Sequence, residues 1–230
     1  MKIEKLLKVS ALCGILGSIT TLILVLIPAP EAATFEEKLL LSQNSLYMGK
    51  LWIFFFHPQL NLVALLGVVA LLYKRSPELV FPGFLFVSIW AITEAAQQAF
   101  SIDALNLYWR TGYVKETDDI IRSAYRINLI GAEAISDSMY FLLLYAYGIG
   151  STLIGLALIH ETLLARISGC GFLFFGALSL VAFADYYGGL VFVDAAVNFS
   201  FDWIYPILQP ISRCLLGVWL WKSASSMQRK

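Results

Sequence analysis

Residues 51–73 read LWIFFFHPQLNLVALLGVVALLY and contain no Asp, Glu, Lys or Arg. A helix crossing the hydrocarbon core needs about 20 mostly apolar residues, and this run supplies them. The apolar residues are continuous rather than alternating, which argues against a half-buried strand. In lipid, every backbone polar group must be satisfied internally, so helices or closed barrels are the only spanning forms. Residues 51–73 therefore predict a transmembrane helix.

Five further stretches have the same character: residues 9–28, 79–100, 136–160, 168–187 and 203–221. The sequence thus predicts an all-α, polytopic helical bundle of about six transmembrane helices, one membrane domain over residues 1–230. The segments between the spans give an outer loop with an amphipathic helix at 118–135. Composition agrees, with 59% apolar or aromatic residues, 14% charged and a mean hydropathy of +0.76. A soluble domain carries about 25% charged residues. The 16 basic and 16 acidic residues cancel, so no nucleic-acid partner is expected.

Residues 1–33 admit two readings. Lys2, Lys5 and Lys8, an apolar run and Glu31-Ala32-Ala33 have the layout of a signal peptide. The apolar run is longer than the 7–15 residues of a typical signal core, so a retained first helix is favoured. With the N-terminus inside, Lys2, Lys5, Lys8, Lys74, Arg75, Arg166, Lys222, Arg229 and Lys230 face the cytoplasm. Lys38, Lys50, Arg110, Lys115, Arg122 and Arg126 fall outside, mostly in one long loop. The positive-inside rule then places both termini in the cytoplasm and the protein in the plasma (inner) membrane. Trp52, Tyr73, Tyr108, Trp109, Trp203, Tyr205, Trp219 and Trp221 lie near helix ends and fit interfacial belts. Cys13, Cys170 and Cys214 sit in apolar runs without metal-ligand spacing and read as buried thiols.

Ionisable groups inside a span cost about 2.5–3.5 kcal/mol each on insertion scales, and mark functional or tightly paired sites. The second helix carries His57 and Asn61, the third Glu94, Gln97 and Gln98. Glu133 and Asp137 approach the fourth, and Gln209 and Arg213 lie in the sixth. At about 1.5 Å per residue, all of them fall in the outer half of the bilayer or at its centre. At about 100° per residue, Glu94, Gln97, Gln98 and Ser101 share one side of their helix, and Gln209 and Arg213 are one turn apart. Such stripes must face one another or water, because facing lipid leaves them unsatisfied. Pro58, Pro206 and Pro210 adjoin these residues, and proline frees a helical carbonyl.

Arg213 has a structural reading, as counter-ion to Glu94, Glu133 or Asp137, and a functional one, as anchor for a carboxylate or phosphate. His57 reads as a hydrogen-bonded histidine. No metal site and no cofactor are expected, although His57, Glu94, Glu133 and Asp137 form the one set from which a carboxylate-rich metal site would come. Gly148, Gly150, Gly155, Gly169, Gly171 and Gly176 are explained by close helix packing. Walker, GxSxG and HExxH motifs are absent from the sequence, which leaves the common hydrolase and nucleotide-enzyme classes unsupported.

The expectation is an outward-facing polar pocket lined by His57, Asn61, Glu94, Gln97, Gln98, Glu133, Asp137, Gln209 and Arg213. It would bind or transport a small solute or a lipid headgroup. The alternatives are a membrane-embedded enzyme using Glu94 or Asp137 as acid/base on a hydrophobic substrate, and an accessory subunit whose polar stripes meet another chain. Expected partners are membrane lipids, a small-molecule ligand, and a membrane-protein partner or second copy.

Overall fold

The computed structural model describes residues 3–28, 30 and 32–227. Lys2, Glu31, Arg229 and Lys230, which entered the topology and cleavage-site readings, lie outside the described residues. Among the described residues there are nine α-helices: α1 (Ile3–Leu26), α2 (Phe35–Leu40), α3 (Ser45–Leu72), α4 (Pro77–Phe100), α5 (Thr111–Lys115), α6 (Asp119–Leu158), α7 (Leu163–Gly188), α8 (Asp194–Phe199) and α9 (Tyr205–Met227). Six helical stretches are long and apolar enough to cross a membrane. The chain is an all-α, multi-pass integral membrane protein.

Side-chain chemistry sets where the long helices begin. Asn44 caps α3 by accepting from the Tyr47 amide at 3.0 Å, and Asp118 caps α6 by accepting from Ile120 and Ile121 at 2.9 and 3.1 Å. Each satisfies amides that a helix start leaves without an intrahelical partner. Pro77 opens α4 where its missing amide costs nothing. Gly189 closes α7 at φ +72°, the left-handed conformation that favours glycine.

The six long helices form a closed ring in the order α1, α3, α4, α6, α7, α9, with α9 packed back against α1. Neighbours run antiparallel. Ser10 of α1 donates to the Val63 carbonyl of α3, while ten residues on Thr20 meets His57. Across the closing seam, Gly14 abuts Gly217 and Ser18 donates to the Pro210 carbonyl. The start of α1 and the end of α9 therefore share one end of the ring, here the terminal end, with the turns 73–76 and 159–162. The opposite, loop end carries residues 32–44, 101–118 and 189–204.

Glycine sets the separation of α6 and α7. A Cβ on Gly155 would come within 2.8 Å of the Leu173 amide nitrogen, and one on Gly176 within 2.7 Å of that of Thr152. Backbone cannot yield as a flexible side chain does, so this seam requires glycine.

At the loop end the structure departs from the sequence reading. The chain does not leave helix at residue 100: α4 continues through a π-helical stretch, Ser101–Arg110, into α5. Residues 118–135 are not a separate amphipathic helix but the first turns of α6, 40 residues long, or about 60 Å at 1.5 Å per residue. That is twice the hydrocarbon thickness. Among the aromatic residues assigned to belts, Tyr205 turns into the ring and Trp219 joins its core. Cys170 is exposed on the outside of the bundle rather than buried.

Candidate functional site

The ring encloses a cavity of about 270 Å³ toward the loop end. Each of its six helices contributes to the lining: Thr21 from α1, His57 from α3, Trp90 and Glu94 from α4, Tyr140 and Tyr147 from α6, Ser179 from α7, and Tyr205, Gln209 and Arg213 from α9. Toward the terminal end it is sealed by Leu7, Val68, Leu72, Val80, Leu158 and Leu220, each 0–2% exposed.

Arg213 is the hub. It is buried, and through Nη1 it donates to Thr21 Oγ1 at 2.9 Å and to His57 Nε2. Asn61 Nδ2 also reaches His57 Nε2, at 3.0 Å. Both groups are donors only, so His57 Nε2 must be the acceptor and the ring proton sits on Nδ1. That nitrogen lies 2.7 Å from Thr20 Oγ1, whose own hydroxyl donates to the Gly17 carbonyl. The histidine is thereby fixed as the neutral Nδ1–H tautomer, presenting a lone pair to the guanidinium.

The sequence reading offered Glu94, Glu133 and Asp137 as counter-ions. Among the described residues, no carboxylate lies within ion-pair distance of Arg213. Glu94 is buried on the same cavity wall and is approached by the Trp90 indole. Of the five guanidinium donor hydrogens, only those on Nη1 have partners among the described residues; the residue borders the cavity. Tyr205 accepts from Gln209 Nε2, which leaves its own O–H free to donate. The Tyr147 hydroxyl is buried without a hydrogen-bond partner among the described residues. The wall therefore offers donors from Arg213, Tyr205 and Tyr147 with one carboxyl group, Glu94.

The backbone contributes as well. Pro58 inside α3 removes the amide that would have bonded the Phe54 carbonyl, and Phe54 lines the cavity. In α9, Ser18 and Ser168 donate to the carbonyls of Pro210 and Ser212, at 2.7 and 2.8 Å, tying the proline-containing turn to α1 and α7.

Five of the nine sequence-predicted residues gather here: His57, Glu94, Gln209 and Arg213 on the wall, and Asn61 behind His57. Four do not. Glu133 lies at the mouth of a separate cavity and pairs with Lys38 at 2.7 Å. Gln97 donates to the Ser136 carbonyl and hydroxyl at 3.0 and 2.9 Å, joining α4 to α6. Gln98 lines neither cavity and Asp137 is exposed. The reason is depth: α6 starts well before the predicted span, which carries Glu133 and Asp137 toward the loop end. Among the described residues, no group of three His, Cys, Asp or Glu side chains converges; His57 and Glu94 face one cavity and Glu133 another.

Thr21, Trp90, Tyr147, Ser179 and Tyr205 were not anticipated. Trp90 and Tyr205 had a legible signal, each one turn before a polar residue (Glu94 and Gln209). No family model, no curated protein and no solved structure matches this chain.

Proposed function

We propose that the axial cavity binds a small solute or lipid headgroup carrying an anionic group, held by Arg213. One observation carries this reading: a buried guanidinium, bonded among the described residues only to the neutral acceptors His57 and Thr21, borders a cavity walled by all six spanning helices. A charge taken from water without a counter-ion is costly, and an anion entering the cavity would supply one. Glu94 on the same wall would accept from a hydroxyl or amine of the same ligand and fix its orientation. With the apolar seal at the terminal end, the cavity is a binding site closed toward that end rather than an open pore. Lys5, Lys8, Lys74, Arg75, Arg166 and Lys222 lie at the terminal end, so by the positive-inside rule that end is cytoplasmic and the cavity opens outward.

The test is native mass spectrometry of the full chain purified in mild detergent. A bound small molecule is expected, and it should be lost in Arg213→Ala and Glu94→Gln. Arg213→Lys, which keeps the charge, separates loss of ligand from loss of fold. Wild-type protein carrying a stoichiometric protein partner and no small molecule would overturn the reading in favour of an accessory subunit.

A further inference from the structure

The loop end holds a second cavity, larger than the first at about 410 Å³ and within the usual range for ligand sites. Its walls come from α2, the π-helical stretch Ser101–Arg110 and the projecting turns of α6. Phe35, Leu39, Phe100, Leu105, Leu129 and Ile130 make them apolar. Into this setting the chain places Arg110, 7% exposed.

The π-helix explains how an arginine is held there. Asn106 Nδ2 donates to the Ser101 carbonyl at 2.5 Å and Thr111 Oγ1 to the Asn106 carbonyl at 3.0 Å, both five residues back. Asn106 is fully buried, and its Oδ1 accepts from Arg110 Nη1 at 2.6 Å. Tyr47 receives the same nitrogen at 3.3 Å and lies under the guanidinium at 5.7 Å from its ring centre. As with Arg213, the other guanidinium nitrogens have no hydrogen-bond partner among the described residues, and no carboxylate pairs with it. The one acid on the lining, Glu133, is neutralised by Lys38. The cavity thus combines apolar wall residues with polar ones, Ser101, Ser136 and the Lys38–Glu133 pair, and holds in Arg110 a positive charge with no ion-pair partner among the described residues.

Its height points to the class of ligand. Counting about 20 residues from the start of α4 and back from the end of α6 puts the hydrocarbon boundary near Gln97 and Met139. Phe100, Ser101, Glu133 and Ser136 lie within two turns beyond it, at headgroup level. We propose that this cavity binds an anionic amphiphile from the membrane, its carboxylate or phosphate on Arg110 and its apolar part on the walls beside Leu105 and Leu129. Phe35, edge-on to Tyr113 at 5.4 Å with Arg126 over its ring at 5.5 Å, holds α2 across the cavity as its cover.

The test uses the delipidated full chain in detergent, titrated separately with oleate, phosphatidylglycerol and phosphatidylcholine and read by native mass spectrometry. One equivalent of oleate or of phosphatidylglycerol should bind; which does so identifies a free fatty acid or a phospholipid as the source. Arg110→Gln should weaken that binding by about tenfold to a hundredfold, the range for a lost charge-assisted hydrogen bond. Leu105→Trp, which fills the cavity and leaves Arg110 untouched, should weaken it at least as much and carries the test if Arg110→Gln misfolds. The titration is repeated in Arg213→Ala, whose axial cavity no longer holds an anion, and one equivalent should still bind there. The proposal fails if wild type binds neither anion, if phosphatidylcholine binds as tightly, or if Leu105→Trp binds like wild type.

Discussion

The two ends of the ring are built from the same helices and behave oppositely. At the terminal end, aliphatic side chains interlock around small residues: a Cβ on Gly67 would meet Ser10 at 2.7 Å and Leu220 at 3.0 Å. At the loop end, aromatic rings, prolines and the buried polar groups leave two cavities, one of them on the ring axis; the terminal end's hollows, of about 280 and 370 Å³, lie around Thr162 and Ser223. Helix packing alone does not explain this, since each seam runs the length of the bundle. The difference lies in what fills the middle. Branched aliphatic chains pack to crystal-like density. A guanidinium, an imidazole and a carboxyl must instead keep hydrogen-bonding geometry, and the space their partners require stays open.

The largest effect expected from breaking this comparison is at the α6–α7 seam. Gly155→Leu would drive its side chain into the backbone of Gly169 and Leu173 and should destabilise the protein by about 3 kcal/mol or more, the upper range for overpacking. Gly131, on the projecting part of the same helix, has open space around it. Gly131→Ala should stabilise by about 0.5–1 kcal/mol through helix propensity. Thermal unfolding of both variants in one detergent, followed by circular dichroism, measures the contrast. Equal stabilities would mean that the seam is looser than the structure shows.

A pair of leucine truncations sharpens it. Leu220 at the terminal end is 0% exposed and Leu144 on the axial cavity is 4% exposed, so burial is matched. Leu220→Ala should cost toward the upper end of the usual 2–5 kcal/mol, and Leu144→Ala toward the lower end. The first opens a void in a filled layer; the second enlarges one whose wall already lacks neighbours on one side. A larger loss for Leu144→Ala, measured in the same unfolding assay, would break the proposed distinction between sealed and open ends.

These residues also show how far the sequence could be read. Ionisable groups stand out in an apolar run, which is why His57, Glu94 and Arg213 were found and why six spans could be placed. Depth was legible only as well as the helix starts. A span that begins near residue 136 draws Glu133 and Asp137 into the axial site, whereas Asp118 caps α6 18 residues earlier. Thr21 is a hydroxyl within an apolar run, no different in sequence from Thr20 beside it. It reaches Arg213 because α9 closes the ring against α1, a long-range pairing that no local periodicity encodes. Arg110 falls in a loop in the sequence reading because the apolar run ends near residue 100, whereas the helix continues past it through Ser101–Arg110.

The smallest expected effect concerns the cover of the loop-end cavity. α2 is six residues long, too short to persist without its ends being fixed. Its first turn is a capping box: Thr34 Oγ1 accepts from the Glu37 amide at 3.2 Å, and the Glu37 carboxylate accepts from the Ala33 and Thr34 amides at 2.7 and 3.2 Å. Those backbone donors hold the Glu37 carboxyl below its ordinary range. A depressed carboxyl pKa adds stability that is present above the unfolded value of about 4.3 and lost as pH falls through the folded one. Acid should therefore loosen α2 before it affects the ring. Hydrogen exchange, corrected for intrinsic rates, should show protection at Ala33 and Thr34 falling between about pH 5 and pH 3, while amides at the sealed end hold. Glu37→Gln, which keeps the cap geometry and cannot titrate, should abolish the acid step. If the step persists in that variant, the cover is released by some group other than its own cap.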